Sequence, residues 1–480
     1  MRYLTILLLI VVALSGFYGY TKSLPAGLNV RSELYPISAA QVRFLADRTY
    51  HNADHSESTF NHTIFDTMLE RIDNADELVL LDMFLFNNHQ GAVGEIRRPL
   101  SSELTERLLA SQSAQPDRIA VVISDPINGM YGTIEPDHFI ALEQSRIPVT
   151  ITDLPTLPDS NPMYSALYRS GLQFMPPIGG RLLPNIFDAN APGMHLQAYT
   201  RLLNFKANHR KVLVTGGKDG WSSIITSMNA HDASSEHSNV ALEVQDHIII
   251  ADIIQSEQSV LNFSETDPMH ISVPEFSSPS SEDGVFIQLL TEQAIKDAIL
   301  SRISSLRAGD HIDIAAFYIS DRDIVRALKA ADTRGVTARL LFDPNRDAFG
   351  REKNGIPNRQ VAHELMLHTN GNTTVRWCVT AGEQCHSKFV ITRTSEDTEL
   401  ILGSANFTRR NLDNRNLETN LRLIGPADTP ALAEAQTFFD EQWQNPNGRI
   451  ASTEYETYAD TSRWRMLWYH IGEFTGLSHY

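Results

Sequence analysis

The chain has 480 residues, a hydrophobic fraction of 42% and a formal net charge of -18 from 40 basic and 58 acidic residues. That length and composition fit a globular protein of two or three domains with a large core. The acidic balance has the wrong sign for nonspecific attraction to a polyanion and disfavours nucleic acid as a partner, and two cysteines are too few for a zinc site.

In chain order, Arg2 is followed by an uncharged, largely apolar run over residues 3–21, with Lys22 beyond it. Its length suits a bilayer span or a secretory signal, and no small-x-small cleavage site follows. Residues 1–22 are therefore expected to be a signal peptide or membrane anchor, the anchor being favoured. The catalytic part would then be secreted or membrane-anchored and extracytoplasmic, on the periplasmic side in a bacterium.

Next come two similar sets of elements. The β-rich run Leu78-Val79-Leu80-Leu81-Asp82-Met83-Phe84, with Ser124-Asp125-Pro126 downstream, matches Ile312-Asp313-Ile314-Ala315-Ala316-Phe317-Tyr318 with Phe342-Asp343-Pro344. Between these markers each set has a helix-like segment, residues 101–111 and 321–333, and then a β-rich run, residues 119–123 and 338–342. Strand, helix, strand repeated at so long an interval predicts a duplicated α/β domain with helices covering the sheets. The expected first domain spans residues 30–263, with a proline-rich insertion at 153–197 as the candidate substrate wall. A Ser/Pro/acid-rich linker covers 264–284, the second domain 285–445, and a C-terminal tail 446–480.

Each expected domain carries the same polar pattern. Asn208-His209-Arg210-Lys211 leads to Thr226-Ser227-Met228-Asn229, and Cys385-His386-Ser387-Lys388 leads to Gly403-Ser404-Ala405-Asn406. In both, a histidine stands two residues before a lysine at the head of an apolar strand-like run, so the two side chains share one sheet face. Two imidazoles can divide the roles of nucleophile and proton donor. The ammonium groups of Lys211 and Lys388 would offset charge on a phosphodiester, with Ser227, Asn229, Ser404 and Asn406 as phosphate-binding donors. This chemistry requires no metal and no other cofactor.

With these residues the chain resembles the phospholipase D superfamily, whose members carry two HxKxxxxD motifs, each followed by a GSxN-like segment. The resemblance implies two phospholipase D-like α/β sandwich domains with the active site at their interface. It also implies a metal-independent reaction in two steps through a phosphohistidine. The aspartate of each motif is replaced, by Gly216 and by Arg393. By resemblance His209 is the expected nucleophile and His386 the acid/base. Glu418, in Asn416-Leu417-Glu418, is expected to orient His386, while Asn239-Val240-Ala241 fills the corresponding place in the first half.

Cys378 and Cys385 are seven residues apart and directly precede His386, a spacing that suits a bracing disulfide. Trp464, Leu467, Trp468 and Ile471 fall at helical spacing in the tail, beside Arg463 and Arg465, and suggest an amphipathic helix expected to dock its apolar stripe on the domain, with a membrane surface as the alternative. The expected function is phospholipase D-like cleavage of a phospholipid. The alternatives are cardiolipin-synthase-like phosphatidyl transfer, a nuclease, or an inactive phosphate- or lipid-binding homologue.

Overall fold

The computed structural model describes residues 2–478 except 53–57, 92–96, 177–179, 182, 189–190, 277–279 and 349–350. Parts of the expected insertion and linker therefore lie outside the described residues.

Two large mixed sheets share one strand order. The seven-stranded sheet runs Val42–Asp47, Asn239–Gln245, Gly220–Thr226, Lys211–Gly217, Leu78–Met83, Ile119–Ser124, Val149–Ile151. In the nine-stranded sheet the order Phe286–Thr291, Thr419–Gly425, Thr398–Gly403, Lys388–Arg393, His311–Ala316, Thr337–Phe342, Thr373–Cys378 repeats it strand for strand, with Tyr35–Pro36 and Ser452–Glu454 added at the edges. Pairing also repeats. The last three strands of each series are parallel, and their neighbours are antiparallel. The duplicated α/β fold expected from the repeats is thus present. Tyr35–Pro36 falls within the expected first domain yet pairs with Phe286 and Ile287 of the second sheet, so the start of the chain is tied across the seam.

Strand alternation sorts the core into layers. Val212 and Val214 join Phe389 and Ile391 in a shared cluster with the helices Ile249–Ser264 and Pro430–Gln444. Leu213 belongs instead to an outer cluster under the helices Thr63–Asn74 and Leu100–Ala114. Val390 belongs to the equivalent cluster under Gln293–Ser305 and Arg322–Thr333. The helix-like segment 101–111 lies inside Leu100–Ala114, and segment 321–333 forms the helix Arg322–Thr333 with its cap Asp321, whose carboxylate accepts from the amides of Asp323 and Ile324.

The N-terminal run forms the helix Arg2–Thr21. Among the described residues no helix is long and apolar enough to cross a membrane. This one lies along the helix Pro162–Ser170, where the Arg169 guanidinium donates to the Ser15 carbonyl at 2.5 Å. The tail supplies the edge strand Ser452–Glu454 and ends in the helix Arg463–Thr475.

Candidate active site

Both histidines sit where a strand is about to begin, and backbone hydrogen bonds from the opposite half hold each in place. The His209 amide donates to the Leu417 carbonyl at 3.0 Å, and the Leu417 amide to Ala207 at 3.0 Å. Across the seam the His386 amide donates to the Ser238 carbonyl at 3.0 Å, and the Ser238 amide to Gln384 at 3.3 Å. These reciprocal parallel bridges bring the residue after Leu417, which is Glu418, and the residue after Ser238, which is Asn239, behind the histidine of the other half.

The side chains follow. Glu418 lies 2.9 Å from His209 Nδ1, and the Asn239 Oδ1 lies 3.0 Å from His386 Nδ1. The sequence expectation that Glu418 would orient His386 is therefore corrected. Counted from sequence alone, the run Asn239-Val240-Ala241 was set against Asn416-Leu417-Glu418; the strands put Asn239 itself opposite Glu418, a shift of two residues. A carboxylate only accepts, so His209 must carry its proton on Nδ1 and keep a lone pair on Nε2. Asn239 donates its Nδ2 to the His237 carbonyl at 3.0 Å and accepts from the Ser227 hydroxyl at 3.1 Å, which fixes its Oδ1 toward His386.

The two serines also depart from expectation. Instead of aiming at a phosphate, the Ser404 hydroxyl bonds Glu418 and the Ser227 hydroxyl bonds Asn239, and both serines are fully buried. They orient the residues that orient the histidines. Asn229 and Asn406 do line the cavity between the halves, together with His209 and His386. That cavity has a volume of about 420 Å³.

Lys211 and Lys388 are fully buried, each ammonium donating to the carbonyl of the histidine two residues before it, at 2.7 and 2.8 Å. Each also stands over an aromatic ring, Phe84 at 4.8 Å and Phe317 at 5.3 Å. The same rings flank His209 and His386, with centroid separations of 4.7 and 5.0 Å. Burial disfavours every positive charge here. It lowers His209 to about 4 against the opposing pull of Glu418, and Lys211 to about 7. Burial, and then the neighbouring Lys388, hold His386 well below the usual imidazole range. An anion in the cavity would reverse that penalty.

Several functional positions carried no role in the sequence reading. Asp125 and Asp343 each accept a backbone amide from the residue just before a histidine, Asn208 at 2.8 Å and Cys385 at 2.9 Å. Their signal was the matched Asp-Pro pair in the two halves. Asn239 was in view without a partner assigned to it. Cys378 and Cys385 form a disulfide, with Cα atoms 6.2 Å apart. From the expected insertion, Ile186 and Phe187 reach the cavity wall beside Tyr131, Leu202 and Phe205. Among the described residues no cluster of His, Cys, Asp or Glu is arranged to hold a metal ion.

Two pseudo-equivalent histidines facing one cavity between duplicated α/β halves, each with a buried lysine ammonium bonded to its carbonyl, define a site for phosphoryl chemistry. Residues 299–443 match the family model described as the PLD-like domain of cardiolipin synthase. Residues 299–443 thus carry a domain of the phospholipase D superfamily, whose members are usually enzymes of phosphodiester transfer. No curated relative matches the chain. Among solved structures it is similar to phosphatidylserine synthase of Haemophilus influenzae Rd KW20, at 10% identity and a TM-score of 0.59 over 94% of this chain and 96% of that one. Looser likenesses are to polyphosphate kinase from Porphyromonas gingivalis, with 12% identity, a TM-score of 0.44 and coverage of 79% and 48%, and to NucT from Helicobacter pylori, with 20% identity, a TM-score of 0.28 and coverage of 35% and 99%. The first shows a shared fold; the other two superpose too loosely to carry an argument.

Proposed function

We propose that the chain cleaves phospholipid phosphodiesters through a phosphohistidine on His209. The observation that carries this reading is the unequal support of the two rings, a carboxylate at 2.9 Å behind His209 and a neutral amide at 3.0 Å behind His386. A carboxylate raises the nucleophilicity of Nε2 and stabilises the cationic N-phosphoryl ring. An amide does neither, and leaves His386 a stronger acid. In the first step Nε2 of His209 attacks phosphorus in line, the bond from phosphorus to the leaving oxygen breaks, and His386 gives that oxygen its Nε2 proton. In the second, neutral His386 takes a proton from water, whose oxygen displaces His209 and breaks the P–N bond. Asn229 and Asn406 donate to the phosphoryl oxygens in both steps, and the buried ammonium groups of Lys211 and Lys388 act on their charge from behind the histidines.

A phospholipid suits the lining. Phe84, Tyr131, Ile186, Phe187, Leu202 and Phe205 give the cavity a broad apolar wall, while His237, Lys353 and Gln384 stand among its polar residues. Transfer of the phosphatidyl group to an alcohol is the second reading, favoured by the match of residues 299–443 to the cardiolipin synthase domain. It differs only in whether water or an alcohol enters the second step.

The test offers phosphatidylglycerol, phosphatidylcholine and single-stranded DNA in the presence of chelator, following headgroup release, phosphatidyl transfer and strand scission together. Lipid turnover that survives chelation supports the proposal. Scission of DNA without lipid turnover, or a strict need for a divalent metal, would remove it.

A further inference from the structure

Three helices far apart in sequence meet at one junction, joined to the reaction cavity through Arg410. The N-terminal helix meets residue 159, where the Asp159 amide donates to the Gly19 carbonyl at 2.9 Å. Pro162–Ser170 begins just beyond, and its Arg169 binds Asp159 at 2.7 Å. The C-terminal helix ends against the same segment. Gly476, at φ +74°, has no room for a side chain, because the Ser160 carbonyl lies 2.5 Å from where a Cβ would stand. Arg409 ties the outer two helices together, donating to the Tyr20 hydroxyl at 3.3 Å and to the Glu473 carbonyl at 3.1 Å.

Each helix is anchored by one stripe and presents hydrocarbon on another. The C-terminal helix buries Tyr469, whose hydroxyl donates to the Ser320 carbonyl at 3.1 Å, along with Glu473. Its outward positions hold Trp464, Trp468 and Phe474, exposed by 65%, 52% and 86%. Leu14 and Phe17 of the N-terminal helix and Leu167 between them are exposed by 63%, 68% and 52%. Fixed helices that expose this much hydrocarbon mark an interaction surface.

The charge beneath that surface says what covers it. In a chain of net charge -18, Arg409, Arg410 and Arg415 stand together at this junction, three guanidinium groups against the carboxyls of Asp159 and Glu473. Aromatic and aliphatic side chains over a basic base match the layering of an anionic phospholipid surface, hydrocarbon inside and phosphate outside. The platform also leads inward. Arg410 donates to the Gly476 carbonyl at 3.5 Å and stands 4.9 Å over the Phe205 ring, and both side chains line the reaction cavity.

We propose that this three-helix face docks on an anionic phospholipid bilayer, with the N-terminal and C-terminal helices lying in the interface and the cavity mouth beside them. The proposal goes beyond the catalytic reading and leans on it only for the molecule that would pass from bilayer to cavity. It is tested with the full chain and phosphatidylcholine vesicles, with and without phosphatidylglycerol, in a flotation assay. Wild type should float with the anionic vesicles, and the emission of Trp464 and Trp468 should shift to the blue. The double variant Trp464→Glu/Trp468→Glu, and separately Leu14→Glu/Phe17→Glu, should lose binding by about tenfold or more while cleaving bis-p-nitrophenyl phosphate, a soluble diester, like wild type. Their circular dichroism should be unchanged, because all four side chains are exposed. Equal flotation of wild type and variants would overturn the proposal, as would variants that turn a wild-type dimer into a monomer with no change in vesicle binding. Cleavage of the soluble diester without any vesicle binding would sink the docking face and spare the catalytic reading; flotation by a chain inert toward every diester would do the reverse.

Discussion

Glu418 and His209 belong to opposite halves of the duplicated chain, yet the carboxylate of one lies 2.9 Å from Nδ1 of the other. The exchange is mutual, since Asn239 of the first half supports His386 of the second at 3.0 Å. Each half thus supplies a histidine and the side chain that orients its counterpart's. The halves differ in one respect that matters to the chemistry, a charge on one orienting group and none on the other.

That difference predicts which ring is phosphorylated. A p-nitrophenyl phosphodiester needs no acid to release its leaving group, so His386→Ala should give a burst of about one p-nitrophenolate per enzyme and then stall, because no base remains to activate water. Mass spectrometry of the alkali-quenched protein should locate the phosphoryl group on His209. His209→Ala should give no burst and lose at least about three orders of magnitude in turnover. A burst in the His209 variant would reverse the assignment.

Glu418→Gln keeps the shape and an acceptor but removes the charge. Turnover should fall by about ten- to a hundredfold with little change in KM, the range found when an orienting partner is replaced. Steady-state kinetics on a soluble diester measures it. Turnover within twofold of wild type would mean that the carboxylate does not assist His209.

The pH profile should lean to the acid side. His209 must be neutral to attack, and burial puts its loss of activity near about 4. His386 must be protonated to donate, and burial holds its pKa well below the ordinary value, so kcat/KM should fall as pH rises toward neutrality. Asn239→Asp places a negative charge on the far nitrogen of His386. This favours the imidazolium, raises its pKa and should move the alkaline limb upward by about one unit or more. A limb that stays in place would detach His386 from the proton transfer.

Removing the disulfide should loosen the second histidine more than the first. The bridge joins cysteines seven positions apart in a loop that ends beside His386, and losing it in Cys378→Ser/Cys385→Ser should cost about 2 to 3 kcal/mol in chain entropy. Denaturant unfolding, read with and without reductant on wild type and variant, checks the value. Identical midpoints in all four samples would show that the loop is held by its other bonds, such as Cys385 to Asp343.

Much of the architecture was legible because hydrophobic periodicity is a local property. The matched runs at Leu78 and Ile312 and at Ser124 and Phe342 became equivalent strands in two sheets. The His-Lys spacing put both side chains on one face for the same reason. The partner swap was not legible, because it depends on which strand edge the segment at Leu417 meets, a tertiary choice that no spacing reveals. Ser227 and Ser404 were misread in consequence: hydroxyls two residues before Asn229 and Asn406 look like phosphate donors until the buried groups behind the histidines claim them. Asp125 and Asp343 were visible as a repeat but had no chemistry of their own to announce, their task being to hold one amide each.

The parallel bridges from Asn208 to Leu417 and from Ser238 to Cys385 have an evolutionary corollary. After duplication, the copies could not drift as separate genes would. A change at 418 acts through the ring at 209, and one at 239 through the ring at 386. With a carboxylate at 418 and a neutral amide at 239, the two halves can take unlike chemical roles without ceasing to depend on each other.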